Sequence, residues 1–269
     1  MDFMVAEDLS WEFLLLLAIV QGITEFLPIS SSAHLLLPSL LFDLPDQGLM
    51  FDTSVHGGTL IAVVAYFRFD IGKMARSFFR PQFEKDRRFA MWLLLASLPV
   101  LISGFFLIDF VEIHLRNLWV VSWTTLLFAL LLWWAASRKG DGTDLSPRIL
   151  LIVGLAQVMA LVPGVSRAGI TMTAGLWQGL APQAAARLAF LLSIPVIGAA
   201  FAFGIYRLIQ LGEVEQLVEA AVAFLVAAIF AYLTISFFLR LISYVGIMPF
   251  VIYRLLLGSA LLLFLWTIH

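Results

Sequence analysis

Apolar residues do not alternate along this chain. They come in long blocks rich in Leu, Ala, Val and Phe, separated by short polar stretches. A helix needs about 20 predominantly apolar residues to cross a bilayer. Six blocks approach or exceed that length: Met50–Phe67, Phe89–Phe110, Leu118–Ala136, Arg187–Leu208, Leu217–Leu239 and Ile247–Ile268. With no strand-like alternation, helices rather than a barrel are expected to satisfy the backbone. Two further apolar regions are interrupted. Trp11–Leu27 is cut by Pro28 and followed by the short run Leu35–Phe42; Leu150–Val162 is cut by Pro163-Gly164 and followed by a short segment to about Leu180. Runs this short are more often re-entrant than spanning. Both are read as helical hairpins that enter the membrane and turn back.

Composition agrees. Of the 269 residues 62% are hydrophobic, where a soluble domain is about 45–50% apolar, and the mean hydropathy is +1.02. The chain is expected to be an all-α integral membrane protein. The net charge is −2, and no nucleic-acid partner is expected. The chain has no cysteine, which excludes disulfides, thiolate chemistry and cysteine lipidation. Asp2, Glu7 and Asp8 precede the first apolar run and no Lys or Arg does, so a secretory signal is not expected.

Charge orients the spans. The loop after the first span carries Arg68, Lys73, Arg76, Arg80, Lys85, Arg87 and Arg88 against Asp70, Glu84 and Asp86. That excess places it in the cytoplasm. The loop with Asp109, Glu112 and Arg116 then lies outside, Arg138, Lys139 and Arg148 inside, Glu213, Glu215 and Glu219 outside, and Arg240 inside.

The two interruptions are also similar to each other. Pro28 and Pro163 are 135 positions apart, and the same offset lays Ser31 over Ser166. Each interrupted hairpin is followed by three spans, an odd number, so the second copy is inverted relative to the first. Residues 1–269 then form one polytopic domain of two pseudo-repeats, about 8–137 and 146–269. This inverted-repeat plan is known from transporters, and it brings the two broken helices together near the midplane.

The interruptions hold the chemistry. Gln21 and Glu25 are four residues apart and share a helix face. Pro28 ends that helix, and Ser30-Ser31-Ser32 open the next segment, where free N–H groups and hydroxyls favour an anion. His34 follows within one turn, and an imidazole beside a hydroxyl is a common way to activate a weak nucleophile. In the second interruption Ser166 opens a helix after Pro163-Gly164, and Arg167 and Thr171 share a face. Arg167 offers a planar fork suited to phosphate. Serines at a helix start often only cap it, and Arg167 can equally be a counter-ion for Glu25. A carboxylate in the membrane needs a partner, a metal or a water-filled cavity. Together the groups suit phosphoryl transfer. The nucleophile is Ser31 or a water, and the base is His34 held by Glu25, or Glu25 instead binds a divalent cation. His56, in Asp52-Thr-Ser-Val-His56-Gly57-Gly58, is a candidate to line the same cavity. Arg187 and Arg254, near span ends, are expected to snorkel; His114 and His269 are read as solvent or interface residues.

At these motifs the chain resembles the bacterial undecaprenyl-diphosphate phosphatases of the bacitracin-resistance type. Gln21-xxx-Glu25 with Phe26-Leu27-Pro28-x-Ser30-Ser31 and His34 is similar to one family motif, and Pro163-Gly-Val-Ser166-Arg167 with Thr171 to another; Phe250-Val-Ile-Tyr253-Arg254 also looks like the family. The resemblance implies hydrolysis of a C55 polyprenyl diphosphate to the monophosphate, recycling the carrier for cell-wall glycans. It implies a multi-pass protein of the bacterial inner membrane with a periplasm-facing site and a requirement for Mg2+ or Ca2+. Carried over residue by residue, it makes Glu25, Ser31, His34 and Arg167 catalytic candidates, with Gln21, Ser30, Ser166, Thr171 and His56 around the substrate and Glu25 on the metal. Gln21 is the neutral option at its motif position, and Ala168 stands where a serine is common. A homodimer is left open. The alternative function is a polyprenyl-phosphate flippase using the same site.

Overall fold

The computed structural model describes residues 9–42, 44–212 and 217–268. The acidic residues Asp2, Glu7 and Asp8, the loop acids Glu213 and Glu215, and His269 lie outside the described residues. The described chain is helical throughout, with one isolated bridge between Gly142 and Leu180 as its only β-type pairing. In chain order the helices are α1 (Trp11–Thr24), α2 (Ser31–Phe42), α3 (Gly48–Tyr66), α4 (Arg68–Ser77), α5 (Glu84–His114), α6 (Leu118–Ala136), α7 (Pro147–Ala156), α8 (Arg167–Trp177), α9 (Pro182–Leu211), α10 (Leu217–Val245) and α11 (Met248–Ile268). A short 3-10 turn, Gln157–Leu161, extends α7 toward the second break.

Six of these are long and apolar enough to cross a membrane: α3, α5, α6, α9, α10 and α11. They are the six expected blocks, some with longer ends. α5 begins at Glu84 rather than Phe89 and ends at His114 rather than Phe110, because a helix continues past its apolar stretch where charged residues can reach water. Local signals set other ends. Asn117 caps α6 through Val120 N at 3.0 Å. Ser146 caps α7 with Pro147 at its first position, where a missing N–H costs nothing. Of the rest, α1 pairs with α2 and α7 with α8, while the charged α4 packs on α5.

Packing follows the needs of a protein in lipid. Outward faces stay apolar, as with Phe105, Phe106 and Ile113 on α5, and helices approach closely where a side chain is missing. At Gly154 on α7, an added Cβ would collide with the backbone of Ala96 on α5. α3 packs on α10 and α9, α1 on α10, α5 on α7 and α9, and α6 on α11 and α8. A ladder of phenylalanines holds the centre. Phe190 meets Phe26 at 5.3 Å and Phe238 at 5.7 Å, and Phe238 meets Phe250 at 5.1 Å. Phe26 adjoins Glu25 in sequence and Phe250 lies one turn before Arg254, so the core fixes elements that carry polar groups.

Candidate active site at the two helix breaks

Both breaks end in a serine with an unusual backbone. Ser30 has φ 74° and Ser166 has φ 70°, a region that side chains other than glycine enter at a cost of order 1–3 kcal/mol. Each serine then caps the helix it opens. Ser30 Oγ accepts from Ala33 N at 3.4 Å and its carbonyl from His34 N at 3.3 Å. Ser166 Oγ accepts from Gly169 N at 3.0 Å and its carbonyl from Ile170 N at 2.8 Å. The geometric counterparts are therefore Ser30 and Ser166, 136 positions apart, not Ser31 and Ser166. The second loop carries one extra residue, Gly164 at φ 88°, where an added Cβ would run into Thr124 Oγ1. Ser31 corresponds to Arg167.

With N3 capped in each helix, the N–H groups of Ser31, Ser32, Arg167 and Ala168 have no acceptor among the described residues. Such N–H groups at a helix N-terminus favour an anion. Two helix starts thus offer four free donors.

The side chains converge on Glu25, which is buried at the end of α1. Arg167 Nη2 donates to Glu25 Oε1 at 2.6 Å across the two breaks. Ser31 Oγ donates to Glu25 Oε2 at 2.7 Å, and Gln21 Nε2 donates to the same oxygen at 2.8 Å. Arg167 Nη1 and Gln21 Oε1 are buried without partners among the described residues. The guanidinium is thus anchored by one nitrogen and presents another. The ion pair is the counter-ion contact expected of Arg167, and it leaves one nitrogen without a partner among the described residues.

His34 does not meet Ser31. Its Nδ1–H donates to the Ser30 carbonyl at 2.7 Å, which leaves Nε2 for Tyr253 Oη at 2.5 Å. The two rings also stack at 5.7 Å. The hydroxyl next to this imidazole is a tyrosine 219 residues away, and Ser31 has a carboxylate as its acceptor instead. Ser166 spends its hydroxyl as a cap, and Thr171 Oγ1 donates back to the Arg167 carbonyl at 2.7 Å. Both support the start of α8. His56, on α3, donates Nδ1–H to the Asp52 carbonyl at 2.7 Å. It lines a chamber of about 200 Å³ together with Ser32, Asp52, Arg116, Leu161 and Pro163. That chamber adjoins a larger, mainly apolar one of about 570 Å³ between α3, α5 and α9.

Arg254 departs most from expectation. It does not snorkel; it is fully buried. Its guanidinium donates to the carbonyls of Gly164 (2.8 Å), Val165 (3.0 Å), Pro28 (3.2 Å) and Thr125 (3.3 Å). It pins the two loops to each other. Thr124 Oγ1 adds a bond to the Pro163 carbonyl at 2.6 Å. The acceptors of Arg254 are all neutral carbonyls, whereas Arg167 is paired with Glu25. The sequence signals for Arg254 were a charge within an apolar helix and its place in the family-like segment Phe250–Arg254; neither said what it binds.

No group of three or more His, Asp or Glu side chains able to hold a metal occurs among the described residues. A hard cation beside substrate phosphates needs only one or two protein oxygens. The Glu25 carboxylate and the unpartnered Gln21 Oε1 fit that requirement.

Comparison with known proteins matches residues 14–260 to the bacitracin resistance protein BacA family. The chain belongs to that family. A curated relative, Undecaprenyl-diphosphatase 1 of Pseudoalteromonas translucida (strain TAC 125), is 45% identical over 262 residues. The match covers 94% of this chain and 97% of the relative, and the family match takes in both breaks and Arg254.

Proposed function

We propose that this chain is an undecaprenyl-diphosphate phosphatase, which hydrolyses the C55 lipid diphosphate to undecaprenyl phosphate and inorganic phosphate and so recycles the lipid carrier for cell-wall glycan synthesis. The observation that carries this is the Glu25 carboxylate joined to Ser31 and Arg167 across two helix breaks. Four free N–H groups adjoin it, and an apolar chamber suited to a lipid tail lies beyond Ser32.

The terminal phosphate binds the N–H groups of α2 and α8 and the free Nη1 of Arg167. Ser31 Oγ attacks phosphorus while its proton passes to Glu25. The bond from phosphorus to the bridging oxygen breaks, and the lipid monophosphate leaves with the proton that Glu25 took. Water then attacks the phosphoserine and gives a proton to the Glu25 carboxylate, which returns it to the Ser31 oxygen as inorganic phosphate leaves. Backbone donors and Arg167 stabilise charge on the non-bridging oxygens. A divalent cation such as Mg2+ or Ca2+, held by Glu25 and Gln21, would neutralise charge on phosphate oxygens when bound.

The site opens to the periplasm in this reading. The small chamber is bordered by Gln47 and Arg116, at the ends of α3 and α5 opposite the basic α4 segment that the positive-inside rule keeps in the cytoplasm. The inner membrane of a bacterium is the expected location. The inverted repeat, with both hairpins re-entrant, is supported by matched packing. α3 on α10 is repeated by α9 on α5, and α1 on α10 by α7 on α5. The same symmetry favours a second reading, a flippase for polyprenyl phosphate.

The test is phosphate release from C55 diphosphate by the purified protein in detergent with divalent cation. Binding without release rejects the phosphatase and leaves the flippase. Ser31→Ala should lower kcat by about 10³ or more. If it stays within about tenfold, ~1.4 kcal/mol of barrier, water attacks directly.

A further inference from the structure

The small chamber beside the helix breaks has a cation in its wall. Arg116 is the only Arg or Lys among the described residues that line it. It sits in the short turn between α5 and α6, whose backbone is fixed from both sides: Asn117 Oδ1 accepts from Val120 N at 3.0 Å, and Asn117 Nδ2 donates to the His114 carbonyl at 2.9 Å. The guanidinium is engaged through Nη2 alone, which donates to Asp46 Oδ2 at 2.8 Å. Nε and Nη1 have no partner among the described residues. The side chains of Arg116 and Asp46 are 31% and 49% exposed, and an ion pair this open to solvent contributes little stability. A better anion can displace it at small cost. Asp46 keeps a second contact that does not need Arg116, since its Oδ1 accepts from Gly48 N at 3.0 Å at the start of α3.

The place of the chamber indicates the anion. Ser32 lies in its wall, directly after the proposed nucleophile Ser31 and with one of the four free N–H groups; Pro163 of the second break lies there too. Ser32, Asp52, His56 and Leu161 also line the large apolar chamber. The small chamber therefore adjoins both the cradle for the terminal phosphate and the space suited to the tail. In a lipid diphosphate the group between those two is the lipid-linked phosphate. A chamber of about 200 Å³ holds several waters, and so one phosphate group. The carboxylate in the same wall, Asp52, has its Oδ1 taken by Gln47 Nε2 at 2.9 Å, which leaves Arg116 as the charged group able to receive an anion.

We propose that Arg116 binds the lipid-linked phosphate of the substrate, exchanging the Asp46 carboxylate for a phosphoryl oxygen. The identity of the ligand rests on the phosphatase reading. When the bond from the terminal phosphorus to the bridging oxygen breaks, the electron pair stays with the lipid monophosphate, and the charge developing there meets the guanidinium. The diphosphate is then gripped at both ends, by Arg167 on the phosphate that is transferred and by Arg116 on the one that leaves.

The experiment compares the parent with Arg116→Met and Asp46→Asn in detergent. Both variants break the same ion pair, but only the first removes the phosphate ligand. Thermal unfolding is read with and without C55 diphosphate in the presence of a chelator, together with phosphate release and its inhibition by C55 monophosphate and by inorganic phosphate. Without ligand both variants should melt within about 4 °C of the parent. In Arg116→Met the stabilisation by C55 diphosphate should shrink and KM should rise about tenfold or more, the order expected for one hydrogen bond between charged groups. Inhibition by C55 monophosphate should weaken by a similar factor, whereas inhibition by inorganic phosphate, which needs only the Arg167 cradle, should stay within twofold. Asp46→Asn keeps the Gly48 contact and frees the guanidinium, so its KM should fall, by up to about fivefold. A KM that rises alike in both variants would mean that the ion pair only ties two loops together, and would overturn the proposal. Parent-like ligand stabilisation and KM in Arg116→Met, or equal weakening of both inhibitors, would overturn it too. If Arg116→Met does not fold, Arg116→Gln carries the same test, and parent-like values again overturn the proposal. The ligand-induced shift is read without turnover, so a parent that is stabilised by C55 diphosphate but releases no phosphate counts against the phosphatase reading alone.

Discussion

Arg254→Met removes a buried cation that touches no residue of the catalytic cluster directly, and its effect can be worked from the bonds it breaks. The two shorter hydrogen bonds, to Gly164 O at 2.8 Å and Val165 O at 3.0 Å, are charge-assisted and contribute about 1.5–3 kcal/mol each. The two longer ones contribute less. Four carbonyls lose a donor, at about 1–3 kcal/mol for any that stays buried and unpaired. Against this, the desolvation of the guanidinium, several kcal/mol, is recovered. The net loss is about 2–4 kcal/mol. For a chain of this size each kcal/mol moves the midpoint about 2–4 °C, so tryptophan-monitored unfolding in detergent should fall by roughly 5–15 °C. The functional loss should be larger than the stability loss implies. With Pro28 no longer tied to Gly164 and Val165, the two helix starts can drift, and misplacement of about 1 Å can cost 10²-fold in rate. Phosphate release measured well below both midpoints should therefore drop more than tenfold. Arg254→Lys keeps the charge but loses the planar fork, and should recover stability better than rate. If Arg254→Met melts within 2 °C of the parent, roughly the effect of 1 kcal/mol or less, and turns over within twofold, the clasp does not hold the site.

Three further outcomes follow from the same geometry. Glu25→Gln keeps the shape but cannot take the Ser31 proton, so kcat should fall about 10² or more; a loss confined to KM would assign Glu25 to binding alone. His34→Ala and Tyr253→Phe break one hydrogen bond from its two ends, so their effects on Tm and kcat should be clearly less than additive in a double-mutant cycle; full additivity would dissolve the pair. Gly154→Ala places a methyl against the Ala96 backbone and should destabilise by about 1–3 kcal/mol through overpacking, with KM unchanged in the protein that remains folded; an unaltered melting temperature would refute the close approach of α7 and α5.

Hydropathy located the spans because the bilayer tests length and apolarity, and α6 has the expected ends because Asn117 adds a local cap. The contents of the two breaks were legible for the same reason: Glu25 and Arg167 are too costly in hydrocarbon to be incidental. Partner choice was not legible. His34 sits within one turn of three serines in sequence, yet it bonds the Ser30 carbonyl and Tyr253, because the first turn of α2 directs Ser31 toward Glu25. The one-residue slip between the breaks was hidden because their prolines align, whereas the backbone counts an added Gly164 at positive φ. What Arg254 binds was not legible either. Hydropathy marks a polar residue in an apolar helix as expensive but does not say what it meets. For Arg254 that was three loop carbonyls and one on α6, up to 226 residues away.

That span of sequence has a consequence for biosynthesis. The donor that fixes Pro28 against Gly164 and Val165 lies on α11, so the ribosome must have passed residue 254 before the loops can be locked. Until then the nascent chain holds Glu25, Ser31 and Arg167 without the clasp that fixes their loops to each other. Completion of the catalytic pocket is thus coupled to insertion of the eleventh helix, and a chain stalled after α10 would contain every proposed catalytic side chain and no assembled site.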